Sequence, residues 1–384
     1  MRFLDSGQWN ETPLSSIAKI IGGGTPETSV STYWGGDIQW FTPSEVGKEK
    51  YVFKSERTIT EKGLRESSAK LLPFGTILLS SRASIGPASI LANRDGATTN
   101  QGFQSIVPNN SSDSEFIYYA ICAPRIQKAL KRKASGSTFP EISHSEVERV
   151  RIFMPDNLKE RSKISNFLTI IDRRIEVQNK IIEGLESLEK GIIHRLIWGQ
   201  ECGKATLGEL LSERTEKTSE QNQFVILSST ATGLFTQEEY FNHQVASENN
   251  VGYKIVRKGD VILSPQNLWL GNINYNDRFE CGMVSPSYKV FSIKGCHAPF
   301  LSLFLKTKRM KYLYGLCSEQ GASVVRRNLN VEEFLQIAIP MPPMEVQKAF
   351  AEKILTIMQK HRSESKYRDL LLLQKKYLLE NMFI

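Results

Sequence analysis

Residues 160–198 contain no proline and place apolar side chains at alternating three- and four-residue steps. Ile164, Ile171, Leu185 and Ile192 form one heptad column, broken at Gln178, and Leu168, Ile175, Ile182 and Leu196 form the other, broken at Glu189. This narrow seam marks a coiled coil, because a helix lying on a globular core carries a wider apolar stripe. A helix of about 40 residues is a rod of roughly 60 Å, and Gly199 and Gly203 flank its stop. Residues 344–384 form a second such segment. It is apolar at both ends (Phe350, Ile354, Ile357, then Leu370, Leu371, Leu372, Leu373, Leu378, Leu379, Met382) and polar in its middle, His361-Arg362-Ser363-Glu364-Ser365-Lys366. Neither seam is buried by its own helix, so the pattern predicts that the two helices pack on each other. The remaining sequence is mixed. Short β-rich runs at 76–80, 150–154, 225–228 and 261–264 are bounded by turn residues. Amphipathic stretches at 114–133 and 299–316 predict helices.

The chain also repeats itself. Gly136-Ser137-Thr138-Phe139, Val150-Arg151-Ile152-Phe153-Met154-Pro155 and Glu160-Arg161-Ser162-Lys163 return as Gly321-Ala322-Ser323-Val324, Leu335-Gln336-Ile337-Ala338-Ile339-Pro340 and Glu345-Val346-Gln347-Lys348, each 185 positions later. Upstream, Phe74-Gly75-Thr76-Ile77-Leu78-Leu79-Ser80 matches Lys258-Gly259-Asp260-Val261-Ile262-Leu263-Ser264 at an offset of 184. Downstream, Phe167-Leu168-Thr169-Ile170-Ile171 matches Ile354-Leu355-Thr356-Ile357-Met358 at 187. A near-constant offset over so long a stretch indicates a tandem duplication. The expected fold class is mixed α/β (α+β): a pseudo-twofold tandem repeat of two similar globular domains separated by two long antiparallel coiled-coil helices. The expected segments are 1–157, 158–200, 201–343 and 344–384.

Composition sets the class of partner. The 384 residues carry 49 Lys and Arg against 41 Asp and Glu, a formal charge of +8, and the pI is near 9.1. That balance makes a polyanion the first partner to consider. With 40% apolar residues the chain has material for real cores. A mean hydropathy of −0.30 and no long apolar run argue against a membrane span. Residues 1–14 lack the apolar core of a secretory signal. Cys122, Cys202, Cys281, Cys296 and Cys317 are odd in number, without a C-x-x-C pair, which fits a reducing cytoplasm.

The sequence carries no complete catalytic or metal-binding motif. His144, His194, His243, His297 and His361 are dispersed one by one, so no metal-ligand spacing arises. Gly22-Gly23-Gly24-Thr25 is followed by no G-K-[ST] or G-x-G-x-x-G and reads as a turn. Ser16-Ile17-Ala18-Lys19 has S-x-x-K spacing without its companion elements, and fits the first helix of a domain. Glu364-Ser365-Lys366 has no aspartate upstream to complete a nuclease site, and no methyltransferase tetrad is present.

Basic sequence occurs in duplicate instead. Arg125, Lys128, Lys131, Arg132 and Lys133 lead into the turn Ser135-Gly136-Ser137-Thr138. In the second copy Lys306, Lys308, Arg309 and Lys311 precede Gly321-Ala322-Ser323 and Arg326-Arg327-Asn328. A cationic helix followed by a turn with hydroxyls and free N–H groups suits phosphate contact. Arg82, Asn100 and Gln101 in the first copy, and Gln266, Asn267 and Arg278 in the second, are loop donors and amides suited to base edges. A solvated helix face explains one such cluster, but its recurrence at the same place in both copies favours nucleic acid.

Gly23-Gly24-Thr25-Pro26, Tyr33-Trp34-Gly35-Gly36-Asp37-Ile38-Gln39-Trp40, the stretch Gly136-Ser137-Thr138-Phe139-Pro140 through Pro155, and the helix entry at 163–172 resemble the specificity subunits of type I restriction-modification systems. The resemblance covers essentially the whole chain. It implies a non-catalytic subunit with two target recognition domains, each reading one half of an asymmetric bipartite target in double-stranded DNA. The helices then set the spacer and dock two modification subunits, with restriction/translocase subunits completing the complex. It implies no cofactor on this chain: methyl donor, ATP and Mg belong to partner subunits. No membrane association is expected, and the compartment is the cytoplasm. The second copy lacks the Tyr-Trp-Gly-Gly-x-Ile motif and the Phe-Pro after its Gly-Ala-Ser turn. The competing readings are a self-sufficient DNA methyltransferase or nuclease, which must bind methyl donor or cut DNA alone, and a coiled-coil scaffold without salt-sensitive DNA affinity.

Overall fold

A computed structural model describes residues 8–136, 139–198, 202–241, 249–320 and 327–383. The chain divides into two compact units, Met1–Ile182 with Glu364–Ile384, and Glu183–Ser363. Each takes in part of both long helices, Leu158–Trp198 and Met344–Met382.

In the first unit, a five-stranded sheet runs in the order Ala18–Gly22, Phe103–Pro108, Ile77–Ser80, Ala88–Leu91, Tyr51–Val52. All its pairings are antiparallel except the last. The central strand shows why a short apolar run serves here. Successive side chains point to opposite faces, so Ile77 and Leu79 join one core and Leu78 the other. The first core continues through Phe116, Tyr119 and Ala120 to Ile164, Leu168 and Ile171 of the first long helix. A three-stranded sheet, Arg57–Ile59, Trp34–Phe41 and Ala97–Thr99, adjoins the second.

The second unit repeats the plan with four strands, ordered Leu211–Glu213, Lys289–Ile293, Asp260–Leu263, Ile273–Tyr275. Val261 and Leu263 face a core containing Phe300, Phe304, Phe334 and Ile354, while Ile262 faces a smaller one. All four β-rich runs of the sequence contain strands.

The structure refines two of the sequence readings. The stretches 114–133 and 299–316 are each two helices, Ser114–Cys122 with Pro124–Arg132, and Ala298–Leu305 with Lys308–Leu316. Pro124 forbids a continuous helix, because its ring excludes the preceding residue from helical backbone; Ala123 is extended, at φ −63° and ψ 137°. In the second unit Thr307 makes the break by capping, its hydroxyl accepting the Met310 N–H at 3.3 Å. The repeat offset also shifts. Leu14 N–H donates to Val150 O and Leu207 N–H to Ile337 O, both at 2.9 Å. The equivalent strands are therefore 187 positions apart rather than the 185 read from side-chain likeness.

Within each unit the long helices run antiparallel. In the first, Asp172 pairs with Lys375 at 2.6 Å and Gln178 donates to the Glu364 carbonyl at 3.1 Å. In the second, Glu186 lies 3.5 Å from His361, and Ile192 packs on the core that holds Phe350 and Ile354. Gln178, which breaks the apolar pattern, is only 4% exposed and also bonds the Glu364 carboxylate. It belongs to the seam. A buried polar side chain with a single matching partner fixes helix register at some cost in stability. Asp172 also accepts from Tyr119 OH at 2.6 Å, and Lys50 donates to Tyr119 and Thr169. Burial holds the Lys50 ammonium below the usual lysine range, against the opposing pull of Glu115. This network ties the helix pair to the first sheet.

Candidate nucleic-acid interface

In the first unit, helix Pro124–Arg132 buries Ile126 and Leu130 and turns its other face outward. Lys128, Lys131 and Arg132 stand exposed, without a carboxylate partner among the described residues. Arg125 and Lys133 are tied down. Arg125 pairs with Glu11 at 2.9 Å and lies over the Phe153 ring, and Lys133 pairs with Glu146 at 2.5 Å. That hydrogen bond holds the Glu146 carboxyl below its ordinary range.

The loop after the central strand meets the end of this helix. Arg82 pairs with Glu141 at 2.8 Å, and Ser135 and Glu141 exchange backbone hydrogen bonds at 2.9 Å each. Ala83, in the left-handed region at φ +61°, donates its N–H to Pro140 O. Ser81 N–H donates to Gly102 O, while Ser81 O accepts from Ile142 N–H. Arg82, Lys131, Asn100 and Gln101 are thereby brought to one surface. The Asn100 side chain accepts the Gly102 N–H at 2.9 Å, and exposed Gln101 accepts the Thr25 hydroxyl. Ser137 and Thr138 lie outside the described residues.

The glycine pair before Thr25 is a packing requirement. A Cβ on Gly23 would stand 1.9 Å from Asn100 O, and one on Gly24 2.3 Å from Ala69 N. Trp40 Nε1 donates to Gly24 O at 2.9 Å, so the conspicuous Trp40 clamps the same turn.

In the second unit the corresponding loop follows strand Asp260–Leu263. Lys306 Nζ donates to Gly271 O at 3.3 Å and Ala231 O at 3.4 Å, and the Lys311 stem lies beside Gly271. Burial, with Lys311 adding repulsion, pushes the Lys306 ammonium down to about 8. Arg327 N–H donates to Gln266 O, and its guanidinium covers the Trp269 ring at 4.4 Å. Asn267 O accepts the N–H groups of Leu270 and Asn272. Gln266, Asn267, Lys306, Lys311 and Arg327 thus gather around one turn. Lys308 and Arg309 are exposed on the helix above it, and Asn328 is exposed on strand Arg327–Leu329. Arg278 is held by Glu239, which takes both ends of its guanidinium, and by the Phe279 ring. No contact joins it to that turn among the described residues. Arg326 lies outside them.

Sequence reading missed Trp269 as a platform for Arg327, since nothing in the spacing links residues so far apart. It also missed the buried network in which Ser229 Oγ donates to Asn272 Oδ1 and accepts from Asn274 Nδ2, both at 2.7 Å. That network fixes the turn carrying Ala231. Among the described residues no group of three or more His, Cys, Asp or Glu is placed to hold a metal, and no helix is long and apolar enough to cross a membrane.

Comparison with known proteins adds identity to this geometry. A family model described as the type I restriction modification DNA specificity domain matches residues 7–187 and 206–370. The type I restriction enzyme MjaIX specificity subunit of Methanocaldococcus jannaschii is 40% identical over 182 residues, 47% of this chain and 41% of that protein. The EcoR124I/EcoR124II specificity subunit of Escherichia coli is 30% identical over 177 residues, 45% and 42% of the two chains. The chain thus spans about two fifths of the length of these curated relatives. The crystal structure of a type I restriction-modification S subunit from M. genitalium shares the fold with a TM-score of 0.61 at 16% identity, over 100% of this chain and 98% of that one. A structure from work on complex assembly and conformational transition of the type I system gives 0.57 at 14% identity, over 99% and 98%. With the family matched in two successive copies over most of its length, the chain belongs to the type I restriction-modification DNA specificity family.

Proposed function

We propose that this chain is the non-catalytic specificity subunit of a type I restriction-modification complex, and that each globular part reads one half of an asymmetric bipartite DNA target. The observation that carries this reading is the recurrence of one arrangement. In both units a helix bearing exposed cations abuts the loop that follows a buried central strand, Lys128, Lys131 and Arg132 in one, Lys308 and Lys311 in the other. Free ammonium and guanidinium groups hold phosphates and supply affinity; the neighbouring amides and donors reach base edges and supply specificity. The two loops carry different residues, Arg82 against Gln266, so the half-sites differ.

The long helices set the spacer in this reading and dock two modification subunits, which bring the methyl donor; restriction/translocase subunits bring ATP and Mg. In the first unit, Ile170, Val177 and Ile181 on one helix and Leu370, Leu373 and Tyr377 on the other are exposed apolar residues at helical spacing. Stripes of that kind, away from the buried seam, suit a protein partner.

Exchanging residues 1–157 for the equivalent part of another family member tests independent reading. The expected product recognises one new half-site and retains the other, as read from methylated positions after expression with the modification subunits. Changes at both ends of the target would mean that the two parts do not read separately.

A further inference from the structure

Phe139 is 77% exposed, more than any other large apolar side chain among the described residues. Its ring contributes nothing to a core, yet the backbone beneath it is firmly held. Ser135 and Glu141 exchange hydrogen bonds at 2.9 Å, Ala83 N–H reaches Pro140 O at 3.1 Å, and Ile142 N–H reaches Ser81 O at 3.0 Å. Gly136, at φ +96°, lies so close that a Cβ there would stand 2.8 Å from Phe139 O. Lys131 and Pro140 line the same shallow hollow as Ala83 and Ser84, and Arg82 pairs with Glu141 two residues along. An exposed aromatic ring therefore stands on a fixed support, next to a hollow lined by Lys131, which has no carboxylate partner among the described residues.

We propose that Phe139 is a base-contacting residue of the first unit, a wedge whose ring presses into the base stack of a duplex held by Lys128, Lys131 and Arg132. This rests on the reading of that surface as a DNA interface. Apolar wedges partly unstack a base step and bend the duplex, and they need a support that does not yield. The cost of unstacking depends on the step, being least at pyrimidine–purine steps. Phe139 therefore contributes sequence preference at a single step of one half-site. The Gly-Ala-Ser turn of the second copy is followed by Val324-Val325 and carries no aromatic ring, so the preference belongs to the first unit alone.

The test uses duplexes selected from a randomised pool by the 384-residue chain, with 2-aminopurine placed at successive positions of the selected sequence. Binding of the unaltered chain raises 2-aminopurine fluorescence at one step. Phe139→Ala removes that rise and weakens binding to the selected duplex by about tenfold, in the range found for one aromatic–base contact. Affinity for an unselected duplex and the salt dependence stay unchanged, and Phe139→Trp restores the rise. The wedge is overturned if Phe139→Ala binds both duplexes like the parent, or weakens both equally. It is also overturned if the substitution releases a co-purifying modification subunit while DNA affinity holds, which would place the ring against protein. Failure of the underlying reading looks different: glutamates at Lys128, Lys131 and Arg132 would then leave both duplexes bound as before.

Discussion

Replacing Lys128, Lys131 and Arg132 together by glutamate is expected to lower affinity for any duplex by about two to three orders of magnitude near 0.1 M salt. Each phosphate contact releases counterions and contributes about 0.9 to the slope of log affinity against log salt. Three lost contacts flatten that slope by nearly three, whatever the sequence of the duplex. These residues are chosen because they are exposed and uncommitted. Lys133 and Arg125, bound to Glu146 and Glu11, stay in place, as do the buried anchors Ile126 and Leu130. The helix should therefore keep its seat, which circular dichroism and an unchanged unfolding midpoint would verify. Titration of a fluorescent duplex at several salt concentrations is the measurement. An unchanged slope would show that the helix presents only a solvated face.

Lengthening both long helices by four residues should move the half-sites apart by one or two base pairs while leaving their sequences alone. Four residues add about 6 Å at 1.5 Å each, close to two base pairs at 3.4 Å. The insertions belong near Asn179 and near Glu364, because Gln178 and Glu364 face each other in the seam. Adding to both strands of the pair there keeps the buried columns, including Leu168, Ile171 and Leu378, in step. Four residues exceed one turn by only about 40°, whereas two residues rotate the seam by about 200°. The two-residue variant is expected to lose the helix pairing, seen as a lowered unfolding midpoint. The spacer is read from methylated sites in cells that also express the modification subunits. A folded, active four-residue variant with the original spacer would mean that the helices are not the ruler.

The parts of this protein legible in its sequence are those that depend on periodicity. The heptad columns and the duplication follow from spacing alone, whereas the continuous run Ile77-Leu78-Leu79 shows a strand but not the two cores it divides between. What stays hidden depends on partners distant in the chain. Arg82 and Arg278 look like free donors until the fold brings Glu141 and Glu239 to them. Gln178 looks like a defect until Glu364 faces it. Pro124 announces its helix break in advance, while Thr307 makes an equivalent break by a cap that many threonines never form. The offset of 185 came from shared Gly and Pro positions, and the hydrogen bonds to Val150 and Ile337 shift it to 187. Among the interface residues, clustering on a short helix was legible in sequence; which cations remain free was not.

Two readers of unlike half-sites on one chain would reveal themselves in selection from a pool of fully randomised duplexes, followed by sequencing of what binds. The expected enrichment is two short conserved blocks, different from each other and separated by a gap of fixed length in which every base is tolerated. Substitution within the first unit, such as Phe139→Ala, should then degrade one block only. Enrichment of a single continuous block, of two identical blocks, or of no sequence at all would contradict it.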